Sequence, residues 1–186
     1  MHHALMLDFK ADFPRVDAVV PLRIVGFDQI FGLPAPPEMP TVTLKLFKFG
    51  KLPSFWKPGP FLFGTPEMMA LIRNSGETHV EDFPVRIVDK RGRQDNDSYR
   101  LIHPVGNVAC LDRERSVLTL DADGQIDKIQ RLALDESKIP PDRTFFRLAE
   151  YELTIVVAAS LAEAMLEHGA WGLRPVPISE YSYPGF

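Results

Sequence analysis

The fold is decided by the last part of the chain. It reads Tyr99-Arg100-Leu101-Ile102-His103, then Val117-Leu118-Thr119-Leu120, then Ile126-Asp127-Lys128-Ile129-Gln130-Arg131-Leu132-Ala133-Leu134. After these come Phe145-Phe146-Arg147-Leu148, Thr154-Ile155-Val156-Val157, Ser160 to Gly169, and Gly172-Leu173-Arg174-Pro175-Val176. Most of these are short runs of β-branched, aromatic and aliphatic residues separated by turn formers, the pattern of strands. Asp121-Ala122-Asp123-Gly124 supplies a tight turn between Leu120 and Ile126. Ile126 to Leu134 has apolar spacing that also fits a helix, but its place directly after that turn predicts a hairpin strand, bulged if it is to use that spacing. Phe145–Leu148 and Thr154–Val157 predict a second hairpin around Glu150-Tyr151-Glu152.

Ser160 followed by Glu163 is a capping-box pattern, with Leu161, Ala164 and Met165 on one face, His168 in the last turn and Gly169 available for a left-handed cap. The expectation is therefore an α+β fold: mainly antiparallel short strands, two or three short helices, and a strand-rich C-terminal region with one capped helix before the last strand.

Residues 1–98 are rich in proline and aromatic side chains. Eight prolines fall between Pro34 and Pro66, which denies that stretch a long helix and leaves edge strands and turns. Ala18-Val19-Val20, Leu22 to Val25 and Thr41 to Phe47 are strand candidates, and Gly26 to Phe31 fits a strand or a helical turn. Thr65-Pro66-Glu67 opens a short helix that ends at Gly76, with Thr65 as N-cap. Phe83 to Val88 reads as a strand. Asp89 to Ser98 follows with no apolar side chain at all, the expected position of an exposed loop or boundary. Residues 1–98 and 99–186 are each small for a stable core, so they are expected to share one.

The chain has 186 residues, 45% of them hydrophobic, enough to bury a core without a metal or disulfide staple. Cys110 is the single cysteine, which excludes an internal disulfide and fits a reducing compartment. With no membrane-length apolar run and no basic-then-apolar leader, the cytoplasm is the expected location and a membrane is not an expected partner. Net charge is −4, and the acidic excess falls entirely in residues 99–186. That argues against nucleic acid, which needs excess Lys and Arg, and for a basic protein partner.

Phe47, Phe49, Phe55, Trp56, Phe61 and Phe63 interleave with Lys48, Lys51 and Lys57, the composition of a base-stacking platform but also of a core beneath lysine stems; core or partner contact is the preferred account. The Asp121–Gly124 run fails as a calcium loop, because the first and twelfth ligand positions would fall on Thr119 and Gln130. Cys110 lacks an activating neighbour, the histidines lack metal-ligand spacing, and glycine-rich phosphate loops do not occur. No cofactor, metal or catalytic set is expected.

Leu111-Asp112 with Ser116, Ile126 to Leu134, Lys138-Ile139-Pro140, Phe146-Arg147-Leu148, Ile155-Val156-Val157 before a helix, and Gly172-Leu173-Arg174 occur together in an order that resembles a bacterial immunity-protein family of polymorphic toxin systems, long catalogued as a domain of unknown function. The resemblance covers about residues 99–177. The family pattern places a serine directly after the Ile-Val-Val strand, where this chain has Ala158-Ala159. What the resemblance implies is a non-enzymatic protein that binds and neutralises a cognate toxin. On that reading the acidic turns, Asp112, Glu114, Asp121, Asp123, Asp127, Glu150 and Glu152, would steer a basic toxin, and Phe55 and Trp56 would supply apolar anchors. The alternative is a small cytoplasmic ligand-binding domain or enzyme whose pocket is lined by the Phe47 to Phe63 aromatics.

Overall fold

The computed structural model describes residues 1–7, 16–20, 32–47, 51–96 and 98–183. Its strands are β1 (His2–Leu7), β2 (Val16–Val20), β3 (Val42–Leu46), β4 (Phe55–Trp56), β5 (Leu62–Gly64), β6 (Val80–Asp89), β7 (Gln94–Asn96), β8 (Arg100–Pro104), β9 (Val117–Leu120), β10 (Ile126–Arg131), β11 (Phe145–Arg147), β12 (Ile155–Ala158) and β13 (Leu173–Pro177); its α-helices are α1 (Pro66–Asn74) and α2 (Ala159–Glu167). The fold is α+β and mostly antiparallel, with a strand-rich C-terminal region and a helix before the last strand, as the sequence predicts. The predicted strand at Leu22–Val25 and the element at Gly26–Phe31 lie outside the described residues.

The first strand of the chain completes the sheet made by the last ones. The order is β11-β12-β1-β13, with Ala4 opposite Val156 on one side and Val176 on the other. Because β1 is antiparallel to both neighbours, β12 and β13 run the same way, and α2 makes the crossover that parallel strands require. Ala4 and Leu5 are buried on opposite faces of this sheet, as expected for a central strand covered on both sides.

The larger sheet has the order β2-β3-β6-β8-β5-β4, with β7 also on β6. β3 and β6 pair in parallel, the exception among the described ladders, and the connection between them carries β4, β5 and α1. Three apolar clusters hold the layers together. One joins both helices to both sheets through Leu5, Phe55, Met68, Ile102, Phe145 and Leu161. The second covers the opposite face of the four-stranded sheet and includes Cys110, Ile129, Leu132, Phe146, Val156 and Tyr181. The third lies on the larger sheet, with Leu44, Trp56, Phe63, Ile87 and Leu101.

Three local expectations change. The Ser160–Glu163 capping box does not form: α2 starts at Ala159 and its cap is Ala158, which makes no side-chain cap bond. The physical reason is that β12 runs directly into the helix, and the Ala159 N–H donates to Met1 O (3.1 Å), so the neighbouring strand replaces the serine. Gly169 does adopt the left-handed conformation after the helix (φ +72°). Thr65 is the N-cap of α1 by conformation only, without a side-chain bond, and Pro66 takes the first helical position.

Asp89–Ser98 is not an open loop along its length. Gln94–Asn96 returns as β7 against β6, and Asp89 closes the hairpin by accepting from the N–H groups of Arg91 (2.8 Å) and Arg93 (2.9 Å) and from Arg93 Nε (2.7 Å). Ile126–Arg131 is a strand, with register shifts at Ile126/Lys128 and Ile129/Arg131 that reconcile its helix-like spacing with a ladder.

Candidate functional site

The acidic turns expected to face a partner divide into two groups. β9 and β10 form a separate two-stranded hairpin, pinned to the body by Ile126 and Ile129 and by paired hydrogen bonds between Ile129 and Tyr183. At its tip the Asp121 carboxylate accepts from the N–H groups of Asp123 (2.9 Å) and Gln125 (2.8 Å), and Gly124 takes φ +78°. This is the turn chemistry that an Asp-x-x-Gly run specifies. Glu114, Asp121 and Asp123 are exposed and Asp127 is half-buried. Val117 and Leu120, at the two ends of β9, keep 39% and 48% of their surface in water.

The remaining carboxylates are spent internally. Asp112 is bound by Arg115 Nε (2.5 Å) and by the backbone N–H groups of Glu114 and Arg115, and the Arg115 side chain holds its carboxyl below the usual range. Glu150 Oε1 accepts from the Leu111 N–H (3.2 Å), and Glu152 Oε1 from Asn107 Nδ2 (2.7 Å). Both glutamates brace the loops beside β11 and are half-buried, so they project less into solvent than Glu114, Asp121 and Asp123. Phe55 and Trp56 leave the set of anchors. They are 0% and 4% exposed, one in the inter-sheet core and one on the larger sheet. A proline-broken stretch has only its large side chains with which to bury area, and it uses them inward. Phe61 and Phe63 are buried in the same way, whereas Phe47 is exposed.

Buried and half-buried polar groups also line the interior. Arg147, 1% exposed in the apolar Phe-Phe-Arg-Leu run, donates to Glu152 O (2.7 Å) and to Pro60 O (3.1 Å), and burial pushes its pKa down to about 10. Lys57, on the β4–β5 turn that ends at Pro60, is pushed down to about 8 by burial and by the Arg147 charge. Glu77 is buried between the end of α1 and the start of β11. It accepts from the N–H groups of His79 (2.8 Å), Thr144 (2.9 Å) and Phe145 (2.9 Å), with Arg143 Nε at 3.7 Å. The one legible signal for these was a charge placed where strand alternation on both sides is apolar, as at Arg147.

His103 Nε2 lies 2.7 Å from Leu33 O and donates to it, and burial lowers its pKa, which keeps the ring neutral. Cys110 is fully buried, and burial pushes its thiol up to about 12, the opposite of an activated nucleophile. Two open hollows of about 530 Å³ each have lining polar groups that already have partners: His2 with Glu136 in one, and Asp82 with Arg73 and Arg100 in the other. No group of three or more His, Cys, Asp or Glu among the described residues is placed to hold a metal ion, and none of the described helices is long and apolar enough to cross a membrane. No protein-family model matches this chain, and no curated protein matches it.

Proposed function

We propose that this protein is a non-enzymatic immunity protein of the cytoplasm, which binds a basic bacterial toxin through the β9–β10 hairpin and blocks it. The observation that supports this reading is the hairpin itself. It sets exposed Glu114, Asp121 and Asp123 around an edge strand whose two end residues, Val117 and Leu120, are apolar and wet. Carboxylates at the rim would speed encounter, and the apolar pair would slow dissociation. The resemblance over residues 99–177 supports the immunity class, and the exposure of the hairpin supports this choice of surface. The alternative of an aromatic-lined ligand pocket loses its lining, because Phe55, Trp56, Phe61 and Phe63 pack inside.

The test is co-expression with the toxin encoded beside this gene, together with binding kinetics at low and high salt. Protection of the cells, with an association rate that falls with salt and in Asp123→Lys and Glu114→Lys, is expected. Cells that die despite full expression of the folded protein would remove the immunity reading.

A further inference from the structure

Among the described residues, β9 is a sheet edge that no strand covers. Strand N–H and C=O groups alternate sides, and Asp121 N–H points toward β10, where it donates to Gln125 O (2.8 Å). Val117 and Thr119 therefore also face β10, whereas the backbone groups of Leu118 and Leu120 face outward, and among the described residues no strand pairs with them. Proteins usually blunt such an edge with lysine, proline or a bulge. Val117-Leu118-Thr119-Leu120 has no charge and no proline, and both register shifts lie on β10.

The hairpin is also polarised along its length. Its tip carries Asp121, Asp123 and Asp127 against Lys128, whereas its base carries Arg113, Arg115 and Arg131 against Asp112 and Glu114.

We infer that β9 pairs with β9 of a second copy of this chain, antiparallel about Thr119, to form a symmetric dimer with a continuous sheet across the two hairpins. In that register Leu118 of each copy lies opposite Leu120 of the other, and each such pair exchanges both outward hydrogen bonds. The exposed Leu120 side chain then covers Leu118 of the partner on one face. The antiparallel arrangement brings the acidic tip of each hairpin beside the arginine-rich base of the other, so the charge polarity is satisfied twice. A two-fold axis demands this self-complementarity, and a parallel pairing would bring like charges together. The dimer needs no toxin; a toxin docking on the same edge would have to displace the second copy.

Sedimentation equilibrium of the full chain tests this. The edge is short, so the wild type is expected to dimerise weakly, over a range of about 10 μM to 1 mM, and less so in about 0.5 M salt. Leu120→Lys should weaken the dimer at least about tenfold without unfolding the chain, because Leu120 is exposed in the monomer. Asp123→Arg and Arg113→Asp should each weaken it, and the double variant should restore it. Leu166→Lys, at an exposed position on α2, should change nothing. A wild type that stays monomeric throughout, a dimer that Leu120→Lys leaves intact, or a double variant no better than the singles would each overturn the inference. None of these readouts involves the toxin, so they stand or fall separately from the immunity reading.

Discussion

Replacing Lys57 by methionine should make this protein more stable, which is unusual for a single substitution in a folded chain. Lys57 follows β4 in the Trp56-Lys57-Pro58-Gly59-Pro60 turn, and Arg147 Nη2 donates to Pro60 O at the end of that turn (3.1 Å). Two cations therefore share a partly buried corner. Burial and then Arg147 move the Lys57 pKa from 10.5 to about 8. A lysine depressed in the folded state binds fewer protons there than in the unfolded chain, so stability rises with pH between about 8 and 10.5 and the penalty is complete below about 8. At about 1.4 kcal/mol per pH unit the ceiling of that penalty is about 3 kcal/mol. Some of it is recovered by solvent around the ammonium, so a gain of about 1–3 kcal/mol at pH 7 is expected for Lys57→Met, which keeps the stem and removes the charge. Urea denaturation of both proteins at pH 7 and near pH 9, below the Arg147 pKa of about 10, measures it, because the comparison cancels the titrating groups that the substitution leaves unchanged. The gap should shrink at the higher pH. A wild type at least as stable as the variant at pH 7, or a gap that ignores pH, would refute the reasoning.

Three further outcomes follow from the same geometry. Gly172→Ala should cost about 3 kcal/mol or more, because Gly172 has φ +107° and an added Cβ would meet Phe55 O at 2.2 Å and Pro53 Cβ at 2.5 Å; chemical denaturation reads the loss. Cys110 should resist thiol reagents at neutral pH until the protein unfolds, and Cys110→Ala should lower stability by about 1–2 kcal/mol while leaving cell protection intact; labelling of the native protein would contradict this. Asp89→Ala should release the β6–β7 hairpin, so that trypsin cuts faster at Lys90, Arg91 or Arg93 and the Arg93 amide exchanges faster. In the wild type, burial raises the Asp89 carboxyl, but bonds from Arg93 and Arg91 outweigh this and hold it below the usual range. The hairpin clasp should therefore persist above that range and weaken only as the pH falls below it.

Much of the local structure was readable from the chain because it depends on residues close in sequence. Asp121 and Gly124 make their turn with their own neighbours, Gly76 and Gly169 end their helices with positive φ and an N–H bond back to the last turn, and Pro66 can begin a helix because it lacks the N–H that would go unpaired there. The same local reading misled where a distant segment competed. Ser160 looked like a cap, but β1, more than 150 positions earlier, brings Met1 O to the helix start. Asp89–Ser98 was misread for a local reason instead: it looked open, but the Asp89 carboxylate accepts from Arg93, four residues on, and organises it into a hairpin.

The division between sequence and tertiary structure is plainest at the candidate surface. Composition and order alone determined that the chain is α+β, that its acidic excess lies in residues 99–186, and that Phe55 and Trp56 are large enough to matter. They could not determine which charges face water. Glu150 and Asp123 are equivalent carboxylates in turn-like runs, yet one is consumed by the Leu111 N–H while the other projects from a hairpin tip. Nor could they say that, among the described residues, the outer edge of β9 would be left without a strand against it, since that edge is defined by what fails to pack there. Burial and pairing are sums over the whole packed chain, so only the tertiary structure decided which side chains became core, which became clasps, and which remained free to meet a partner.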